Sequence, residues 1–199
     1  INGGTLIVTS TGSIGGTAGV TTTALTISSA TLDLQRAITV GSLSMSGTSP
    51  AITNSTGTSS LVVSGIGTLA GNVTTSGLQT YTGAVTLGAN SVLTTSNAIV
   101  QFTSTVNATA SGSQSLTLTT GSGAVYFVGA VGGTALASLS ITGVVANATA
   151  QTTYLGGNVT TTGAQSYGGN VTLSAVASGV ASPVLTSSSG GVSIAGNVS

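Results

Sequence analysis

Only two side chains in this sequence carry a charge at neutral pH, Asp33 and Arg36, and histidine and cysteine are absent. General acid–base catalysis needs a histidine or two carboxylates with separated pKa values, and a serine nucleophile needs a neighbouring base. One carboxylate also provides too few ligands for a metal ion. We therefore expect no enzymatic activity, no catalytic residues and no bound cofactor or metal ion.

Asp33 and Arg36 are separated in the sequence only by Leu34 and Gln35. Such a pair could form a recognition spot, or it could be a local ion pair on the surface at a bend of the chain. We favour the ion pair, which would contribute only about 0–1 kcal/mol to stability.

Aromatic residues are rare, with four tyrosines, two phenylalanines and no tryptophan. Tyr81 and Tyr167 occupy equivalent positions of an internal repeat, whereas the other two tyrosines do not. Tyr81 and Tyr167 are candidate surface-contact residues that could stack on a sugar or touch a neighbouring fibre. We favour a position at the edge of the core with the hydroxyl in water, because Phe102 and Phe127 occupy the same motif position.

Asparagine occurs several times in the pattern Asn-x-Ser/Thr, which is the acceptor signal for N-glycosylation. Glycans would help to keep an uncharged surface in solution. The alternative is chance, since serine and threonine are abundant, and asparagines at corners can also form ladders. The candidate glycosylation sites are Asn54, Asn72, Asn107, Asn147, Asn158, Asn170 and Asn197.

One stretch of the sequence occurs twice, at residues 71–87 and 157–173, with an offset of 86 residues and no gap. Both copies follow the pattern Gly-Asn-Val-Thr-Thr-x-Gly-x-Gln-x-Tyr-x-Gly-x-Val-Thr-Leu. Such a repeat indicates that the same local structure is built twice.

Short runs of alternating apolar and polar residues, bounded by Gly, Ser or Asn, predict β-strands throughout. A smaller motif has an apolar or aromatic residue, a small residue two positions later and valine four positions later. Its successive copies start 12, 21, 25, 28, 12 and 27 residues apart. The longer steps are typical of one coil of a parallel β-helix, and the 12-residue steps of two faces of one coil. The motif starts at Leu69, Tyr81, Phe102, Phe127, Leu155, Tyr167 and Ile194.

These patterns predict an all-β fold, a parallel β-helix (β-solenoid) shaped as an elongated rod. An antiparallel sandwich is the alternative, but Asn2-Gly3 is the only dipeptide typical of a hairpin turn. We expect residues 1–199 to form a single continuous segment, with degenerate coils in 1–60 and clearer repeats in 61–199. Because neither end carries a charged cap, we expect the segment to belong to a longer chain.

The repeat at 71–87 and 157–173 resembles the degenerate repeats of filamentous-haemagglutinin-like and autotransporter-type bacterial surface adhesins. The resemblance implies a right-handed parallel β-helix that is exported and acts as a stalk or adhesive fibre. It implies an extracellular or cell-surface location. The expected partners are further copies of the chain and host or cell-surface glycans.

Two other functions fit parts of the sequence. Threonine runs such as 21–23, 74–75 and 160–162 could order water on an ice-binding face, although irregular repeat spacing argues against a flat lattice. Alternating strands also suit an outer-membrane β-barrel, but they are short for a membrane crossing and lack aromatic girdles. The near absence of charge gives no attraction to nucleic acid, and we expect neither nucleic-acid binding nor membrane insertion.

Overall fold

The computed structural model of the protein describes residues 1–8, 24–143, 151–174 and 182–199. These ranges contain 24 short strands and no helix. Threonine, valine and serine are frequent in them, and β-branched side chains pack well on a pleated sheet. The expectation of an all-β fold is confirmed.

The strands form three sheets. Sheet 1 has nine strands: β1 (Thr5–Val8), β3 (Thr31–Leu34), β6 (Ala51–Thr53), β9 (Asn72–Thr74), β12 (Ser91–Thr94), β15 (Ser115–Gly121), β18 (Ser138–Gly143), β21 (Gln165–Tyr167) and β24 (Val192–Ile194). Sheet 2 has seven: β4 (Ala37–Val40), β7 (Ser60–Val63), β10 (Gln79–Tyr81), β13 (Val100–Phe102), β16 (Val125–Phe127), β19 (Thr152–Leu155) and β22 (Asn170–Leu173). Sheet 3 has eight: β2 (Ala24–Ser28), β5 (Ser42–Ser46), β8 (Gly67–Leu69), β11 (Val85–Leu87), β14 (Val106–Ala108), β17 (Val131–Leu136), β20 (Val159–Thr161) and β23 (Leu185–Ser187).

From β4 onward the chain visits sheets 1, 2 and 3 in rotation, so that each strand stacks on the strand three places earlier. Every strand pairing in the described residues is parallel, as β10 shows with β7 on one side and β13 on the other. The protein is therefore a β-solenoid of about seven turns. The antiparallel sandwich is wrong, because hairpins would pair successive strands. The right-handed winding stays a prediction.

The core lies between the three sheets and is built from stacked apolar ladders. In β4, Ile38 and Val40 point inward and are buried, while Ala37 and Thr39 are exposed. They stack in register on Leu61 and Val63 of the next turn, about 4.8 Å away. Hydrogen bonds and apolar contacts between turns therefore hold the stack together, and ion pairs are not required.

The five-residue motif marks the corners of the solenoid. Tyr81 ends β10 and Val85 begins β11, and Phe102 and Val106 stand in the same relation between β13 and β14. The 12-residue step from Leu69 to Tyr81 joins two faces of one turn, sheet 3 and sheet 2, as expected.

The two copies of the long repeat lie on different faces of the solenoid. Residues 71–87 run through sheets 1, 2 and 3, whereas residues 157–173 run through sheets 3, 1 and 2. Turn length varies: 18 residues separate paired positions of β8 and β11, and 28 separate those of β17 and β20. The repeat is consequently a repeat of local structure and not of whole turns.

Candidate functional site

The first copy of the repeat builds a buried hydrogen-bond network around Gln79, whose side chain is fully buried. Its Nε2 donates to the Val73 carbonyl at 3.1 Å, to the Thr94 carbonyl at 3.0 Å and to the Thr75 hydroxyl at 3.2 Å. The Tyr81 hydroxyl donates to Gln79 Oε1 at 3.1 Å. The network joins β9 and β12 of sheet 1 to β10 of sheet 2 with neutral groups alone.

The second copy rebuilds this network at a different corner. Gln165 Nε2 donates to the carbonyls of Val159 and Thr186 at 3.2 and 2.8 Å, and to the Thr161 hydroxyl at 3.3 Å. The Tyr167 hydroxyl donates to Gln165 Oε1 at 3.1 Å. Here the network joins β20 and β23 of sheet 3 to β21 of sheet 1. The residues that the two copies of the repeat share therefore form the same uncharged hydrogen-bond network, which connects two sheets and two successive turns.

Tyr81 and Tyr167 are 0% and 1% exposed. The candidate role as surface contacts is wrong, and the favoured core position differs from the expectation in that the hydroxyls are buried and not in water. Burial raises the pKa of both phenols well above its usual value. The Tyr81 ring stacks on Phe102 at 5.0 Å between centroids, and Phe102 stacks on Phe127 at 5.1 Å. Both tyrosines are core residues. Each lies two positions after a glutamine in the same strand and so faces the same side of the sheet, which could have predicted its burial.

The tyrosines that reach the surface are Tyr126 and Tyr154, which sequence reasoning did not select. They are partly exposed, on the outward side of β16 and β19, and pair directly across adjacent turns. Their ring centroids are 4.6 Å apart and their planes differ by 5°. Among the described residues, every other aromatic side chain is buried. Neither hydroxyl has a hydrogen-bond partner in the described part of the chain.

A cavity of about 150 Å³ lies beside this tyrosine pair, at the corner that follows sheet 2. Three successive turns line it, and most of its wall is apolar. The lining residues are Tyr126, Phe127, Val128, Tyr154, Gly156 and Ser174.

Asp33 lies in β3 and is 5% exposed, so it is not the surface group that the sequence suggested. Its carboxylate accepts hydrogen bonds from Ser55 N at 2.8 Å, Ser55 Oγ at 2.6 Å and Gln35 Nε2 at 2.9 Å. Burial by itself would raise the pKa of Asp33, but these hydrogen bonds together outweigh burial and lower the pKa below its usual value. Asp33 thus fixes the loop that contains Ser55.

The outward side of sheet 1 carries hydroxyl side chains in ranks that run along the solenoid. Thr74, Thr94, Thr119 and Thr142 stack in register on four successive turns. Two residues away along the strands, a second rank runs Thr117, Ser140, Ser166 and Ser193.

The ranks differ from the threonine runs noted in the sequence. Thr75 and Thr161 are buried, so consecutive threonines do not share one face. The run at 21–23 lies outside the described residues. The pairing shifts register within two strand pairs, between Thr119 and Gly121 of β15 in sheet 1 and between Val131 and Leu136 of β17 in sheet 3. The residues of the two hydroxyl ranks nevertheless pair directly from turn to turn.

The candidate glycosylation sites differ in how their side chains are used. Asn72, Asn158 and Asn197 are exposed. Asn54 is the least suited to carry a glycan, since its Nδ2, the atom that would be glycosylated, donates to the carbonyls of Leu34 at 2.7 Å and Thr56 at 2.6 Å.

Three of the sites use the side-chain oxygen and leave Nδ2 for a glycan. Asn107 Oδ1 accepts from Thr134 N at 3.0 Å, Asn158 Oδ1 accepts from Val184 N at 3.0 Å, and Asn170 Oδ1 accepts from Asn197 N at 2.9 Å. Asn147 lies outside the described residues.

In the part of the chain that the structure describes, no group of three or more His, Cys, Asp or Glu side chains could hold a metal ion. No helix among the described residues has the length and hydropathy to cross a membrane. The chain matches no protein-family model, no curated protein and no solved structure.

Proposed function

We propose that this chain is a non-enzymatic structural or adhesive segment of an exported bacterial surface fibre. The observation that carries the proposal is the continuity of the stack, because sheet 1 runs from β1 to β24 without interruption. A solenoid in which each turn contacts only its neighbours can be extended to any length by adding turns. This property suits a stalk, as does the resemblance of residues 71–87 and 157–173 to repeats of filamentous-haemagglutinin-like and autotransporter-type adhesins.

The proposed location is the cell surface or the extracellular space, and the proposed partners are further copies of the chain and glycans. Apart from Asp33 in β3, no strand among the described residues carries a charged side chain, and the outward sides of the sheets are rich in hydroxyl groups. In sheet 3, for example, Thr26, Ser44, Thr68 and Thr86 stack in register. Surfaces of this kind form many weak neutral contacts, which favours lateral association with copies or with sugars over association with charged polymers.

Labelling of intact cells tests this proposal. An antibody against the folded segment is applied to cells that express the chain from its own gene, before and after permeabilisation. We expect labelling of intact cells, and release of the antigen by mechanical shearing as long filaments. Labelling that appears only after permeabilisation would contradict the proposal.

Ice binding is a second candidate, favoured by the two hydroxyl ranks of sheet 1. Neighbouring turns place their side chains about 4.8 Å apart, and alternate residues of a strand lie about 6.6 Å apart. Such an uncharged grid of hydroxyl groups could order water in a regular layer. The test is thermal hysteresis of the purified chain, compared with Thr119→Arg on sheet 1 and with Thr80→Arg on sheet 2 as the control. Hysteresis that is absent, or that both variants retain, removes this candidate.

A further inference from the structure

We propose that Tyr126 and Tyr154 form a binding platform for one neutral sugar ring of a glycan. The inference deepens the adhesive part of the proposed function and rests on it. Its starting point is that the only aromatic rings not buried among the described residues are the partly exposed rings of Tyr126 and Tyr154, which lie on adjacent turns beside a cavity.

The stacking geometry leaves a place for a further ring. Outward positions of sheet 2 run Gln101, Tyr126, Tyr154 and Thr172 on four successive turns. The two tyrosine rings cover each other at 4.6 Å, but after Tyr154 the column continues with the small side chain of Thr172. A flat ring can therefore continue the column beside Tyr154, with its edge towards the cavity.

The polar groups around the rings are neutral hydrogen-bonding groups. The hydroxyls of Tyr126 and Tyr154 have no partner in the described ranges, and the Gln101 amide and Ser174 hydroxyl lie on neighbouring turns. An aromatic face with a few neutral donors and acceptors suits a pyranose ring, whose C–H face is apolar and whose rim carries hydroxyls.

The charge and strand pairing around the platform disfavour other ligands. The two charged side chains of the sequence, Asp33 and Arg36, lie near β4, and three strands of sheet 2 separate β4 from β16. No charge is therefore available to bind a phosphate or an acidic peptide. β16 is hydrogen-bonded to β13 on one side and β19 on the other, so a peptide cannot add to the sheet here as a further strand.

The cavity also limits the size of the ligand. Its volume of about 150 Å³ is below the roughly 300–1,000 Å³ of pockets for drug-sized molecules. The platform therefore takes one ring, and the remainder of a glycan would extend along the surface of the solenoid.

Tyrosine-ring NMR gives a direct test, because the chain has four tyrosines and no tryptophan. The purified chain, with labelled tyrosine rings, is titrated with neutral oligosaccharides of glucose, galactose, mannose and N-acetylglucosamine. We expect the ring signals of Tyr126 and Tyr154 to shift with at least one sugar, while those of Tyr81 and Tyr167 stay in place. The two buried rings also report that the core remains folded.

Two variants separate ring stacking from other effects. Tyr154→Phe keeps the ring and should bind within about threefold of the parent, whereas Tyr154→Leu removes it and should bind about tenfold more weakly. Equal binding by Tyr154→Leu with an intact core would overturn the proposal. So would the absence of shifts with every sugar, or shifts that depend on protein concentration alone, which would mark a contact between copies. A negative titration leaves the fibre proposal standing, since labelling of intact cells tests that separately.

Discussion

At the scale of single residues, buried neutral hydrogen bonds replace the charged contacts that most proteins place on their surface. Gln79 is the clearest case, because its side-chain amide connects three strands and also accepts from the Tyr81 hydroxyl. A buried donor or acceptor that loses its partner costs about 1–3 kcal/mol. The stability of this corner should therefore depend on Gln79 and Tyr81 together and not on either residue alone.

We predict that Gln79→Leu lowers the free energy of unfolding by about 1–3 kcal/mol, because it leaves the buried Tyr81 hydroxyl without an acceptor. The double variant Gln79→Leu/Tyr81→Phe removes that hydroxyl and should be less destabilised than the two single variants added together. Urea denaturation followed by circular dichroism gives the values, with Thr80→Val on the outward side of the same strand as the control. Strict additivity would show that the hydrogen bond contributes nothing.

Asp33 makes the stability of the chain depend on pH in the acidic range. Its hydrogen bonds from Ser55 and Gln35 lower the pKa in the folded state, so the ionised form stabilises the fold at neutral pH. This contribution is present above the unfolded pKa of about 3.9 and is lost as the pH falls through the lower folded pKa. We expect stability to decline below about pH 4 in the parent chain and much less in Asp33→Asn. Parallel declines in both chains, measured by urea denaturation from pH 2 to 7, would contradict this role.

The residue scale also shows what the sequence could and could not predict. The alternation of inward and outward positions already places Gln79 and Tyr81 on the same side as Leu61 and Val63 of the preceding turn. Phe102 at the equivalent motif position likewise indicates a buried ring. The 28-residue step between the motif copies at Phe127 and Leu155 already places Tyr126 and Tyr154 at matching positions of adjacent turns. Their stacking could not be predicted, since no pattern in the sequence specifies the orientation of the two rings.

At the scale of elements, the corners rather than the strands carry the specific sequence requirements. Strands need only alternation, whereas the corner glycines lie against the backbone of the preceding turn. A Cβ at Gly77 would lie 2.8 Å from the Ser59 carbonyl oxygen, and one at Gly163 would lie 2.6 Å from the Ala137 carbonyl oxygen. This close approach explains why glycine recurs at fixed positions of the repeat.

Gly83→Ala tests this explanation at the corner between β10 and β11. A Cβ there would collide with the backbone of Gly65 and lie 2.8 Å from Ile66 N. We predict a loss of about 1–3 kcal/mol in the free energy of unfolding. The matched control is Gly88→Ala, whose Cβ would meet the Ala70 methyl at 3.3 Å and should change stability by about 0.5 kcal/mol or less. Equal effects of the two substitutions would show that contact between turns does not select glycine.

At the scale of the whole molecule, stability comes from contacts between turns that ionic strength does not weaken. The sequence contains one acidic and one basic side chain, and its net charge is zero. Salt screens charges but leaves hydrogen bonds and apolar packing nearly unchanged. We predict that the free energy of unfolding at pH 7 differs by less than about 0.5 kcal/mol between 20 and 200 mM sodium chloride. Thermal or urea denaturation at both concentrations checks this, and a larger difference would point to charged contacts elsewhere in the stack.

The parallel β-solenoid followed from the sequence because strand alternation, turn residues and the five-residue motif all indicate it. The sequence did not predict which sheets the two copies of the repeat would occupy, because the core places almost no constraint on the number of residues in a corner. Ser166 illustrates this: it is the repeat equivalent of Thr80, yet Thr80 faces outward from sheet 2 and Ser166 from sheet 1.

Paired cysteines test this arrangement most directly, since the chain has no cysteine of its own. Ser140 and Ser166 are direct partners in β18 and β21, and partners about 4.8 Å apart lie within the range for a disulfide. Ser140→Cys/Ser166→Cys should form an intramolecular disulfide under mild oxidation, detected by peptide mass spectrometry. Tyr154→Cys/Ser166→Cys should not, because Tyr154 faces outward from sheet 2. A disulfide in the second pair and none in the first would contradict the solenoid described above.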